Sequence, residues 1–341
     1  MNFLKSLPVF NLYTLRLMKN KFFPIIVILL LTGSLYSFSG CQQSANANDN
    51  KLNSNSANES NLNEPYKTSA EWNAYWYQGK AELTSYDLIQ SRYGELHQGS
   101  VVNIFVTEDF SKSKQVKLDD PSSAGNDKLP VFKFNQSIKF VTGIYPYSMM
   151  LSTFQPVDIN NYPHADKITA SIQEWCGMAF YQMNNRDNKF EIEQRSYFES
   201  EGDHDSKMDQ VIQEDELWNM IRINPSKLPT GQQSILPGAL YLRLAHKPLE
   251  PVKATFDLRN ENGINNYVID IPSLNRKLSI RFEQTFPYHI LGWEDTYPGI
   301  DGKILTTTAV KKKELIVDYW RTHTNDDRVL REQLGIPRDT Q

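Results

Sequence analysis

The side chains best placed for chemistry are Glu174 and Cys176 in the run Glu174-Trp175-Cys176-Gly177, where a thiol lies two residues from a carboxylate. A thiolate nucleophile needs an activating base, and here a distant histidine would have to supply it. The second cysteine of a C-x-x-C redox pair is missing. The spacing favours a quieter reading. Cys176 shares the even positions of an alternating run with Ile168, Ala170, Ile172, Met178 and Phe180, so it is expected to be buried as a small hydrophobe, with Glu174 interrupting that face. Glu201, Asp203, His204, Asp205 and Asp209 offer ligands for Ca²⁺ or Zn²⁺, but their spacing fits no EF-hand. They read instead as an exposed loop leading to Ser206 as the cap of a helix over 207–220. The histidines, His97, His164, His204, His246, His289 and His323, are scattered, and G-x-x-x-x-G-K-[ST], G-x-S-x-G and H-E-x-x-H are absent. Neither a cofactor nor a metal is expected.

The N-terminus says more about place than about chemistry. From Met18 the chain reads Lys19, Asn20, Lys21 and then an apolar run, 22–31, too short to span a bilayer comfortably, which is the pattern of a secretory signal. Residues 1–17 read as an upstream misassigned start. The segment ends Phe38-Ser39-Gly40-Cys41, which resembles the lipobox of bacterial lipoproteins, with Phe where Leu is usual. That resemblance implies an acylated Cys41 as first mature residue, a signal over 1–40 and a membrane partner reached through lipid. Removing 1–40 takes away Lys5, Arg16, Lys19 and Lys21 and no acid, which lowers the formal charge from −4 to −8. With no basic stripe either, nucleic acid is a poor partner. If Cys41 carries lipid, Cys176 has no cysteine left to pair with.

Between Gln42 and Asn63 lie 22 residues, of which 8 are Asn, 4 Ser and 2 Gln, a composition that cannot bury a core. Residues 41–64 are therefore the lipidated cysteine and a tether, and 65–341 a single globular domain. That domain is expected to be mainly β. Phe132, Phe134, Ile138 and Phe140 alternate with polar residues, as do Val252 to Leu258 and Leu278 to Phe286, while 101–106, 239–244 and 304–310 follow the same rule. Asn262-Gly263 is a type I′ hairpin signal, and Asn184 to Asn188 separates 168–183 from 189–199. Such alternation belongs to antiparallel sheets with one wet face. The expected architecture is a curved sheet, half-barrel or sandwich, with a few short helices.

One helix opens with a capping box at Thr68 and Glu71 and runs from Ser69 to Gln78, another covers 207–220, and a C-terminal helix carries Val329, Leu330 and Leu334 and stops at Gly335 and Pro337. Trp72, Tyr75, Trp76 and Tyr77 read as helix-to-core packing rather than a sugar platform. Lys311, Lys312 and Lys313 read as a solvated or edge-protecting run rather than a lipid contact.

Arg92-Tyr93-Gly94-Glu95, Val106-Thr107-Glu108-Asp109-Phe110, Glu174-Trp175-Cys176-Gly177 and the ending from Asp318-Tyr319-Trp320 to Leu334-Gly335 resemble a group of Bacteroidetes lipoproteins of unknown function, often labelled "septum formation inhibitor Maf". The Ser-Pro-Arg-Arg motif of true Maf pyrophosphatases is absent, so the resemblance implies location in the cell envelope, at the outer membrane, and little about chemistry. Arg92, Glu174 and Cys176 are the candidate pocket residues. Three functions compete: a non-catalytic lipoprotein binding an apolar ligand or an envelope partner, a periplasmic enzyme using Cys176 and Glu174, and a structural or assembly subunit. The first requires that the curl of the sheet be left open rather than plugged by helix 207–220 or the C-terminal helix. Replacing Cys41 by alanine is expected to release the protein from membranes or stall its export; unchanged fractionation and detergent partitioning would overturn the lipid assignment.

Overall fold

The computed structural model describes residues 64–337; the signal sequence, Cys41 and the tether up to residue 63 lie outside the described residues. In chain order the strands are β1 (Ala81–Arg92), β2 (Glu95–Ser111), β3 (Val116–Lys117), β4 (Lys128–Thr142), β5 (Tyr145–Pro156), β6 (Lys167–Glu174), β7 (Gly177–Arg186), β8 (Lys189–Ser196), β9 (His204–Asp209), β10 (Ile212–Gln213), β11 (Gly231–Leu236), β12 (Val252–Glu261), β13 (Ile264–Ile271), β14 (Arg276–Glu283), β15 (Ile290–Pro298) and β16 (Ile304–Val317). They form one sheet in the order β10-β11-β12-β13-β14-β15-β16-β1-β2-β4-β5-β6-β7-β8-β9, with β3 added beside β2. Neighbours are antiparallel except β10 and β11, and β9 and β10 at the two edges do not pair with each other. A sheet this wide accumulates twist and curls. The protein is thus mainly β, a single curved, unclosed sheet rather than a sandwich.

The concave face is filled. Helix α1 (Ala70–Trp76) begins at Ser69, whose hydroxyl accepts from the Trp72 N–H at 3.0 Å, and it buries Trp72 and Trp76 while Tyr77 stays exposed. All ten residues of α2 (Glu214–Ile223) and all six of α3 (Ala239–Leu244) are buried. Trp218 of α2 stacks on Phe134 of β4 and meets Trp293 of β15 edge-on. The short α4 (Val329–Gln333) ends at Gly335, with φ of +70°, as its glycine stop foretold. It lies on the other face, where the Ser85 hydroxyl donates to the Leu334 carbonyl at 2.5 Å.

Three expected elements need correction. The run 239–244 is α3 and not a strand, because residues buried on every side show no period that separates the two. The helix expected over 207–220 starts only at Glu214; the stretch before it is edge strand β9, in which Met208 lies opposite Phe190. Its helical spacing arose from joining two elements. Residues 168–183 are two strands, β6 and β7, joined by a turn. The Lys311–Lys313 run also does not protect an edge: β16 lies between β15 and β1, and Lys311 and Lys312 pair with Glu314 and Asp87.

The layers are joined by buried charge. Arg222 of α2 donates twice to Glu82 of β1, at 2.6 Å each, with its guanidinium lying over the Trp76 and Phe105 rings at 5.0 and 4.8 Å. Both side chains are fully buried, so neither charge has water to fall back on. Arg222→Leu is therefore expected to cost about 3–5 kcal/mol in chemical denaturation. The double variant Arg222→Leu/Glu82→Leu should lose much less, and equal losses in the two would show that the orphaned charge is not the cause.

Candidate functional site

Inside the curl a void of about 80 Å³ lies between the sheet, α2 and α3, lined among others by Gln90, Gln136, Glu214, Asp215, Arg276 and Asp295, and a smaller one of about 40 Å³ lies between β6, β7 and α3. Arg276 of β14 is the hub. Its Nη1 and Nη2 donate to Glu214 at 2.6 and 2.8 Å, its Nε and Nη2 to Asp295 at 2.8 and 2.9 Å, and its guanidinium sits 3.8 Å from the centre of the Tyr241 ring. Asp215 accepts from the Ala239 N–H at 2.9 Å. One cation against three acids leaves the group short of positive charge, and burial, reinforced by the Glu214 charge, pushes the Asp215 carboxyl up to about 7. Gly238 permits this approach: a Cβ there would come within 2.7 Å of a Glu214 oxygen.

Arg92, Glu174 and Cys176 gather at one end of the sheet, where the β1–β2, β4–β5, β6–β7, β8–β9 and β15–β16 connections and the C-terminus of α3 lie. Arg92 is buried and donates to the Leu244 carbonyl that closes α3, with its guanidinium 4.4 Å from the centre of the Tyr93 ring. The Tyr93 and Tyr147 hydroxyls share a hydrogen bond of 2.7 Å. Glu174 accepts from Arg243 at 2.7 Å and from the Tyr145 hydroxyl at 3.3 Å; Arg243 also faces Glu201, which contacts His246 at 2.7 Å. These groups hold turns and a helix end in place.

Cys176 is exposed, which corrects the expected burial. Glu174 pairs with Gly177 across a two-residue turn, so the inward parity shifts from even to odd, and Ala179, Tyr181 and Met183 are buried where Met178 is not. The Cys176 N–H donates to the Tyr145 hydroxyl at 2.7 Å. The acids of 201–209 do not converge either: Glu201 turns to Arg243 and His246, Asp205 to Arg195 and Asp209 to Lys189. Potential ligand atoms of Glu82, His289 and Glu314, a trio the sequence did not disclose, do lie within 4.8 Å of one another. Glu82 is already held by Arg222 in a buried ion pair and Glu314 by Lys311 at 2.6 Å in a half-buried one, so a cation there would have to compete with both.

The same end carries an unusual surface. The four most exposed large hydrophobic residues among those described are Ile144 (82%), Trp175 (65%), Tyr197 (64%) and Ile300 (63%), and with Tyr93 (53%) they occupy five hairpin connections. Those hairpins are consecutive in the sheet: β15–β16, β1–β2, β4–β5, β6–β7 and β8–β9. Leu96, Val141, Met178 and Ile304, also exposed, stand at their shoulders. The tight turns at the opposite end are polar, Asp187-Asn188 and Asn262-Gly263. An open groove of about 700 Å³ runs from Trp175 along the convex face, where Asp87, Ser100, Lys139, Ser148 and Gln173 lie side by side across five strands.

No protein-family model matches the chain, and no curated protein matches it. Among solved structures, the β-barrel-like protein of domain of unknown function DUF1849 from Brucella abortus aligns with a TM-score of 0.42 at 8% identity, over 70% of this chain and 98% of that one.

The Asp215 carboxyl gives the domain a defined pH response. Its folded-state value of about 7 lies above the ordinary 3.8, so the folded chain holds the proton more tightly than the unfolded one. This contribution to stability is present below about pH 4, is lost as the pH rises toward about 7 and is flat above. Melting temperatures of wild type and Asp215→Asn at about pH 5 and about pH 8 isolate it. The variant is expected to gain relative to wild type at the higher pH; parallel pH curves would count against a protonated Asp215.

Proposed function

We propose that this protein is a non-catalytic, membrane-tethered component of the cell envelope that acts by docking its hairpin-tip end onto an envelope surface. The observation that carries the reading is the contrast between a filled interior and an uncovered end. A void of about 80 Å³ edged by carboxylates holds a few waters, whereas pockets for organic ligands run to about 300–1,000 Å³. Lipid carriage inside the sheet thus lacks a container, and the convex groove, though larger and lined in part by Tyr86, Phe140, Tyr147 and Trp175, is an open channel over the row Asp87, Ser100, Lys139, Ser148 and Gln173 rather than an enclosed pocket. Five consecutive hairpins, by contrast, each present a large apolar side chain to solvent, the pattern of a surface made to be covered.

The competing enzyme reading draws less support. Glu174 is engaged by Arg243 and Tyr145, and the hydrogen bond at Cys176 comes from its backbone to a tyrosine. Docking through the tips is tested with the full chain carrying Cys41→Ala, which removes the lipid site, mixed with isolated envelopes. Adding Ile144→Ser, Trp175→Ser and Ile300→Ser, all at exposed positions, is expected to lower the bound fraction about fivefold or more with the fold unchanged by circular dichroism. Undiminished binding, or hydrolysis of an envelope component that disappears in Cys176→Ala, would reject the proposal.

A further inference from the structure

We infer that the row of apolar side chains on the hairpin tips inserts into the interfacial layer of a lipid bilayer, so that the protein grips a membrane with its own surface in addition to any lipid on Cys41. This rests on the docking role proposed above and names the surface that is docked upon.

Geometry separates a bilayer from a protein partner. Strands in a sheet lie about 4.8 Å apart, so successive hairpin tips stand about 10 Å apart and the five tips span about 40 Å along the curved end. A protein interface needs a contiguous, water-excluding core. Tips at such intervals, each an exposed apolar side chain with at most one exposed shoulder residue and with Glu95, Glu199, Asp203 and Asp301 among them, do not provide one, whereas a fluid lipid surface accepts separate points of insertion. The residue types fit the depth. The rings of Tyr93, Trp175 and Tyr197 suit the headgroup level, and Ile144 and Ile300 the start of the acyl region.

The turns themselves carry the same message. Tyr93-Gly94 has φ values of 52° and 71°, and Asn262-Gly263 at the opposite end has 54° and 83°. Both are turns in which the first position favours Asn or Asp. At the polar end the chain uses the favoured residue; at the tip end it places a tyrosine there that is 53% exposed while Arg92 and Tyr147 hold it in position.

Charge and reach narrow the lipid further. Lys303 sits 3.6 Å from Asp301, and Arg243 serves both Glu174 and Glu201, so the tips show no basic excess that would demand anionic lipid. The described chain enters at the far end, where the Tyr66 N–H donates to Asp158 and Asn160 donates to the Glu64 carbonyl. The 22 residues between Cys41 and Glu64 can span about 75 Å. The 17 residues of β2 cover about 56 Å. A molecule held at Cys41 can therefore lay its tips on the same bilayer.

The test uses the full chain with Cys41→Ala, in which Cys176, beside Trp175, is the sole cysteine. An environment-sensitive fluorophore on Cys176 is mixed with protein-free vesicles of phosphatidylcholine and phosphatidylethanolamine. The emission is expected to shift to the blue, to be quenched by spin labels at headgroup depth more than at the bilayer centre, and to change little with salt. Because the apolar segment 22–31 can itself bind vesicles, the comparison is with the same chain carrying Ile144→Ser, Trp175→Ser and Ile300→Ser. There the blue shift should vanish and partitioning should fall about tenfold or more. No shift at Cys176, or partitioning equal in the two chains, overturns the inference. If envelopes bind in a tip-dependent way while pure lipid does not, the docked surface is protein and only this inference falls; if neither responds, the proposed function falls with it.

Discussion

The structure depends on one short helix buried on all sides. A curled sheet leaves a concave face, and this chain fills it with α2, whose ten residues must satisfy every charge they carry without water. At its N-terminus Glu214 takes Arg276 of β14, Asp215 takes the first N–H of α3, and Glu216 takes His164, the Ala165 N–H and the Gln213 N–H. At its C-terminus Arg222 takes Glu82 of β1, and the Arg222 carbonyl accepts from the Trp72 indole of α1 at 3.2 Å. Negative groups thus gather at the positive end of the helix dipole and an arginine at the negative end. Strands far apart in the sheet are held to one another through this helix.

That arrangement limits what the interior can do. With α2 and α3 in place the inside is a packed core with small voids of about 80 and 40 Å³, and a larger ligand would have to displace a helix whose charges have no alternative partners. Exposed chain is then left at the connections. Both ends of the sheet have connections and both carry exposed apolar side chains, Tyr77, Val116 and Ile264 at one, but the largest exposures, Ile144, Trp175, Tyr197 and Ile300, lie at the other, and beneath these Arg92, Arg243, Glu174 and Glu201 hold the turns.

How much of this could be read from the sequence depended on which face a residue served. Strands β2, β4, β12, β14 and β16 were legible because apolar and polar residues alternate there, and the β12–β13 turn because Asn262-Gly263 has only one ordinary use. Strand β1 was not. Its inward positions are Glu82, Thr84, Gln90 and Arg92 among Tyr86 and Leu88, so the face that faces the core reads as polar. The same cause hid the true start of α2, whose first three residues are acids normally placed at a surface. Arg92 and Glu174, read from the sequence as candidate pocket residues, are engaged with the Leu244 carbonyl and with Arg243 and Tyr145. Cys176 was misplaced because a two-residue turn at the centre of an alternating run changes the parity without changing the composition.

The tip end also shows how an unfavourable local choice is sustained. A tyrosine in the left-handed region is disfavoured by about 1 kcal/mol or more relative to glycine or asparagine. At Tyr93 the cost is offset from below: the Arg92 guanidinium lies under the ring, and the Tyr93 hydroxyl meets Tyr147, itself stacked on Phe140. Arg92 in turn is pinned to the end of α3, which is pinned to Asp215 of α2. The chain of contacts runs without a break from the buried helix to the exposed turn. A tip held this firmly presents its apolar side chain already ordered, so covering it costs little further conformational entropy. The buried acids and arginines of the core are therefore what hold the hairpin tips in place.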